Sequence, residues 1–129
     1  MSESEDPHQD LGEHLEEHLM ADGVYITDYT VTEGTFHVAY ETAAPEEGVP
    51  RNEMGSILQE LLDAHADGWP ATDVTVWVYD VDEPAEEREP KGRWEAREGW
   101  FRAFENDNLS ETDLSTLVIS TVDLEATRG

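Results

Sequence analysis

Residues Val24 to Thr42 read VYITDYTVTEGTFHVAYET. Two runs rich in β-branched and aromatic residues, Val24 to Glu33 and Thr35 to Thr42, flank a single glycine, Gly34. This pattern predicts a β-hairpin with a tight turn. Side chains alternate along a strand, so Phe36, Val38 and Tyr40 share one face of the second run, and His37, Ala39 and Glu41 share the other.

Upstream of the hairpin, Leu11, Leu15, Leu19 and Ala21 recur at helical spacing among Glu13, Glu16 and Glu17, and the pattern stops at Gly23. A helix over about residues 9 to 22 follows. Residues 1 to 9 are polar and charged and read as a disordered acidic tail, leaving one domain over residues 10 to 125. Downstream, Ala43 to Pro50 is a loop and Asn52 is placed to cap a helix. That helix carries one apolar stripe, Met54, Ile57, Leu58, Leu61, Leu62 and His65, and closes at Gly68.

Val74, Val76 and Val78 then alternate with Thr75, Trp77 and Tyr79, a strand with bulk on both faces and hence a central one. After the charged loop Asp82 to Pro90, Gly92 to Arg97 predicts a fourth strand returning against the third, with a helix as the competing reading. Trp100, Phe101 and Phe104 fit a short helix. Ser110-Glu111-Thr112-Asp113 forms a capping box before Leu114, Leu117 and Val118. The β-branched run Leu117 to Val122 competes as a strand, and helix is the preferred reading.

The order is thus αββ-αββ-αα: an α+β fold with a four-stranded, mainly antiparallel sheet and helices packed on one face. Both αββ units open with a helix that closes on Ala-Asp-Gly, at residues 21–23 and 66–68. Duplication would produce this repeat, but so would ordinary helix-stop chemistry, which is preferred.

Composition narrows the function. The chain has 129 residues, with 32 Asp or Glu against 7 Lys or Arg and a net charge of −25. Gripping phosphates needs a basic face that 7 cations cannot supply, so nucleic acid is excluded as a partner. The same field repels anionic membranes. No apolar run approaches the roughly 20 residues that span a bilayer, and the acidic N-terminus is unlike a signal peptide, so a soluble cytoplasmic protein is expected. Without cysteine there is no disulfide, thiolate site or cysteine nucleophile.

High charge can also signal disorder, but four Trp, four Tyr and three Phe in clean periodic patterns indicate a folded chain. The cations are six Arg and one Lys, Lys91. This acidic, Arg-biased composition resembles that of cytosolic proteins of haloarchaea, whose solvent is potassium-rich molar salt. In such salt the Debye length is about 3 Å and repulsion among carboxylates is screened.

Four constellations are candidates for function. His14 and His18, at i and i+4, could share a metal ion with Glu17 or His8 nearby, although His-Leu-Glu-Glu-His is not the metalloprotease pattern. Asp80, Asp82 and Glu83 form an oxygen cluster at a strand end, which in a chain of 32 carboxylates reads as solvated surface. No nucleophile elbow, Walker loop or dinucleotide fingerprint occurs, so the sequence nominates neither catalytic residue nor cofactor and leans away from an enzyme.

The third is Glu86 to Arg102, which holds five of the seven cations (Arg88, Lys91, Arg93, Arg97, Arg102) and five carboxylates, and so is neutral. It also holds Trp94 and Trp100. Trp and Arg are enriched at binding hot spots, which makes Arg93, Trp94, Arg97, Trp100 and Arg102 interface candidates. The competing reading places both Trp residues in the core and the Arg–Glu neighbours in cross-strand pairs. Trp77 and Tyr79, with Tyr25 and Tyr29 beside them, would line a second aromatic surface if helices cover only the other side of the sheet.

Gly92-x-Trp94, Trp100-Phe101 with the acidic segment after it, Leu109-Ser110-Glu111 leading to Leu114 and Val118, and Gly68-Trp69 upstream together resemble a domain found in uncharacterised haloarchaeal proteins. The resemblance covers most of residues 11 to 124. It implies an α+β domain and transfers no catalytic residue.

The expected function is a non-enzymatic module for self-association or a protein partner, using the Trp77/Tyr79 face or the neutral window. The alternative is a small-molecule or metal-binding protein, with an enzyme included, using His14/His18 or the Trp77/Tyr79 face. Diluting salt from molar to about 0.05 M KCl is expected to loosen or unfold the domain, because unscreened carboxylate repulsion then opposes compaction. Circular dichroism across that range checks this, and an unchanged spectrum contradicts the salt-adapted reading.

Overall fold

The computed structural model describes residues 7–43, 48–81 and 90–124. The first helix, α1, spans Pro7–Leu19. Proline costs no hydrogen bond at a helix start, where the N–H has no partner in any case. Three residues of the expected tail, 7 to 9, are therefore helical; the rest of that tail lies outside the described residues. A 3-10 turn, Met20–Asp22, winds the helix down, and Gly23 ends it in the left-handed region at φ 83°.

The hairpin forms as expected, with β1 at Val24–Thr32 and β2 at Thr35–Thr42. Glu33 and Gly34 take φ 52° and 81° between the paired residues Thr32 and Thr35, the conformation of a two-residue turn whose twist matches the strands. The register shifts between Ile26 and Asp28. Beyond that irregularity Tyr29 and Val31 lie opposite Val38 and Phe36, on the face where β2 carries its large apolar residues.

The second helix, α2, spans Arg51–Ala66 and is entered from Pro50 without a side-chain cap. Asn52, the expected cap, is instead the second helical residue, because the proline already sets the extended entry. Met54, Ile57, Leu58, Leu61 and Leu62 are buried as the stripe requires. Gly68, at φ 113°, donates to the His65 carbonyl, and Trp69 N donates to the Ala64 carbonyl at 2.9 Å.

β3 is Asp73–Asp80 and β4 is Gly92–Ala96. The sheet order is β1-β2-β3-β4. β1–β2 and β3–β4 are antiparallel, while β2–β3 is parallel, so the sheet is mixed, with its one parallel pair at the centre. The cause is α2: a helix between two neighbouring strands carries the chain back to the end where the first began. The same geometry decides against duplication. β3 runs opposite to β1, so a rotation carrying β1–β2 onto β3–β4 would turn the sheet over and move α1 to the far face. Both α1 and α2 pack on one face, and the repeated Ala-Asp-Gly marks only where two helices stop.

Two more helices follow, α3 at Glu98–Glu105 and α4 at Glu111–Ser120. The capping box is present: Ser110 Oγ accepts from Asp113 N at 3.0 Å, and Asp113 Oδ2 accepts from Ser110 N at 3.5 Å. Once that start is fixed, Leu114 and Val118 fall on one buried face one turn apart, and the β-branched run is helical through Ser120.

The core lies between this sheet face and the helices. Phe36, Val38, Tyr40, Val74, Val76, Val78, Trp94 and Ala96 meet Leu11, Leu15 and Leu19 of α1, the α2 stripe, Phe101 of α3, and Leu114 and Val118 of α4. Gly12 lets α1 approach this closely, since a Cβ there would overlap the Tyr29 ring. Among the described residues two polar side chains are buried: Thr42, and Glu53 in the first turn of α2. Thr42 Oγ1 donates to Glu53 Oε2 at 2.6 Å. Burial first, and the neighbouring Glu53 carboxylate second, push the Tyr40 phenol far above its ordinary value.

Gly12→Ala is expected to destabilise the fold by about 1–3 kcal/mol, the cost of overpacking, read from denaturant unfolding in molar KCl. The Tyr40 effect has a definite sign. Its folded value lies above the unfolded value near 10, so the unfolded chain releases the proton first and stability falls as pH rises above about 10. Stability measured between pH 9 and 11 should fall less steeply in Tyr40→Phe than in the parent.

Candidate functional site

On α1, Leu11, Leu15 and Leu19 turn to the core, which places His14 and His18 together on the flank beside α2. Their rings stack with centroids 4.0 Å apart. On α2, Glu60 lies between the buried Ile57 and Leu61, and its Oε1 is 2.6 Å from His14 Nε2. Ligand atoms of His14, His18 and Glu60 all lie within 4.8 Å of one another. His14 and Glu60 are partly buried and His18 is exposed. The helix spacing foretold the histidine pair; the third member comes from a different helix.

His8 is not part of this group. It accepts from Trp69 Nε1 at 3.1 Å and stacks on Phe36, holding the start of α1 to the end of α2. Glu17, the other expected neighbour, is exposed. Beside the cluster a cleft of about 610 Å³ opens between the two helices, lined by Asp10, Leu11, His14, Ala64, Asp67 and Trp69 among others.

The sheet face away from the helices differs from the expected aromatic platform. Trp77 and Tyr79 are only 8% and 9% exposed and cluster with Ala39. The Arg93 guanidinium lies 5.6 Å from the centre of the Trp77 ring. These aromatics are closed over within the chain and offer no open stacking surface.

In the neutral window, Trp94 faces the helices and is fully buried, so it presents nothing to a partner. Trp100 is half-buried, with Arg97 5.6 Å above its ring. Arg93 and Arg97 both approach Glu95, at 3.6 and 3.8 Å, and Arg102 pairs with Glu98 one turn away. The Arg–Glu pairs thus run along one stretch of chain and one helix, and the contact that crosses between strands is that of Arg93 with Asp123, at 3.9 Å on the segment bridged to β4. Residues 86–89 of the window lie outside the described residues, as do Asp82 and Glu83 of the oxygen cluster.

The sheet has two unlike edges. On the outer side of β4, Arg93 N donates to the Asp123 carbonyl at 3.0 Å, and Asp123 N donates back to the Arg93 carbonyl at 2.8 Å. Glu95 N donates to Thr121 Oγ1 at 2.8 Å. β1 forms the opposite edge and pairs only with β2 among the described residues. No described helix is long and apolar enough to cross a membrane.

The described residues define a small α+β domain with four α-helices on a four-stranded mixed sheet. Residues 5–128 match the model of one protein family, and the chain belongs to it: the domain of unknown function DUF8159. Comparisons with curated proteins and with solved structures give no match.

Proposed function

We propose that the domain is a non-enzymatic association module of a salt-adapted cytoplasm, joining a second copy of itself or another protein through the β1 edge of its sheet. The contrast between the two edges carries this reading. The outer side of β4 is already paired with residues 121–123, whereas β1 turns a row of backbone N–H and C=O groups outward, a template on which another strand can add.

Two further features favour this edge. Of the five large apolar residues exposed in the described chain, three belong to it or to the turn entering it: Met20, Tyr25 and Val31. Val24–Thr32 has one carboxylate, Asp28, in nine residues, against 32 in 129 overall, so two such edges meet with little repulsion. The irregularity between Ile26 and Asp28 divides the strand into residues 24–26 and 28–32, each in regular register with β2. A second surface has one observation in its favour, Arg97 stacked over the half-buried Trp100 beside the exposed Arg102.

Light scattering in about 2–3 M KCl, where charge is screened, tests the proposal. The expected mass is twice 14.5 kDa, falling to the single-chain value in the double variant Tyr25→Glu, Val31→Glu. A dimer lost instead on Arg97→Ala with Trp100→Ala transfers the function to the second surface. A single-chain mass at every concentration, with no protein captured by the β1 edge, removes the reading.

A further inference from the structure

We infer that His14, His18 and Glu60 form a binding site for a divalent transition cation, for which zinc is the best chemical fit. The inference is independent of the β1 edge. Carboxylates alone would mean little in a chain with 32 of them, but two of its five histidines stack on each other here, and His14 meets a carboxylate from another helix. Imidazole nitrogens select zinc, cobalt, nickel or copper, whereas magnesium and calcium demand shells of oxygen.

The spacing fits as well. Ligands about 2.0–2.1 Å from a tetrahedral zinc ion are roughly 3.3 Å apart. The three donors here already lie within 4.8 Å of one another, and His14 Nε2 and Glu60 Oε1 are at 2.6 Å. Closing the shell brings the donors about 1–2 Å nearer to one another, and the exposed His18 side chain has room to turn. The ion would take the place of the direct His14–Glu60 contact and give both groups a shared partner.

Two consequences follow from where the site stands. Its ligands come from two helices, with His18 and Glu60 42 residues apart in the chain, so an ion there clamps α1 onto α2 along their shared flank. Three protein ligands also leave one position open. His14 lines the cleft between the helices as well, so that position adjoins a cavity of about 610 Å³.

The test uses the full chain, stripped with a chelator and returned to molar KCl, with zinc chloride alone as the probe. Competition against a chromophoric chelator is expected to show one tight equivalent. Cobalt in its place should give the intense visible bands of a four-coordinate ion. Loss of a hydrogen-bond partner behind a ligand already weakens binding about 10–100-fold, so His18→Ala and Glu60→Gln are each expected to weaken it by roughly 100-fold or more. His18 is exposed, and circular dichroism of His18→Ala confirms that the fold is intact. Zinc binding without one-to-one stoichiometry, or equally strong in His18→Ala and Glu60→Gln, is adsorption to the acidic surface and overturns the site. So does displacement of the zinc by a modest excess of magnesium.

Discussion

Everything in this domain hangs on the docking of α2 across the sheet. The parallel pairing of β2 with β3 exists only because α2 returns the chain to the same end, and a parallel pair needs its crossover packed on a face. The helix answers with five buried apolar side chains, each worth about 1.5–3 kcal/mol when taken from water. Once α2 is in place, α1 has a groove beside it, and α3 and α4 cover what is left of the same face. One sheet face thus collects the helices, and the other buries Ala39, Trp77 and Tyr79, with Arg93 over the Trp77 ring.

The polar contacts inside the core serve the same docking. A buried carboxylate is an odd choice for an apolar interface, yet Glu53 sits in the first turn of α2, where backbone N–H groups and the helix dipole favour negative charge. Its bond from Thr42 ties that turn to the last residue of β2, so the helix start is held at a single position along the strand. Apolar packing tolerates a slide of one residue far better than a hydrogen bond does. This pair gives α2 its register as well as its affinity.

Much of the fold was legible because its signals are local. The hairpin announced itself through Gly34 between β-branched runs, α2 through a stripe at helical spacing, and α4 through Ser110 and Asp113. Non-local facts were harder to read. Parallel pairing of β2 and β3 leaves no mark within either strand. The covering of Trp77 depends on Arg93 of a neighbouring strand, and bulky residues on both faces of β3 look alike whether open or covered. For the candidate centre, the two histidines could be paired from their spacing alone. Glu60 could not be added, because nothing in α2 distinguishes it from Asp63 until the two helices are set side by side. Trp94 was named for an interface because its neighbours are charged; strand alternation turns it inward all the same.

The edge of β4 carries a consequence for how the chain is made. Its outer hydrogen-bonding groups at Arg93 and Glu95 are satisfied by Asp123 and Thr121, which lie about thirty residues further along. On a ribosome α1, the hairpin, α2 and β3 emerge before β4, whereas the far edge waits for α3 and α4 to be built and to deliver those residues. A nascent chain stalled before Thr121 would therefore hold a nearly complete core and an open strand edge, the state in which a quality-control machine can tell an unfinished molecule from a finished one.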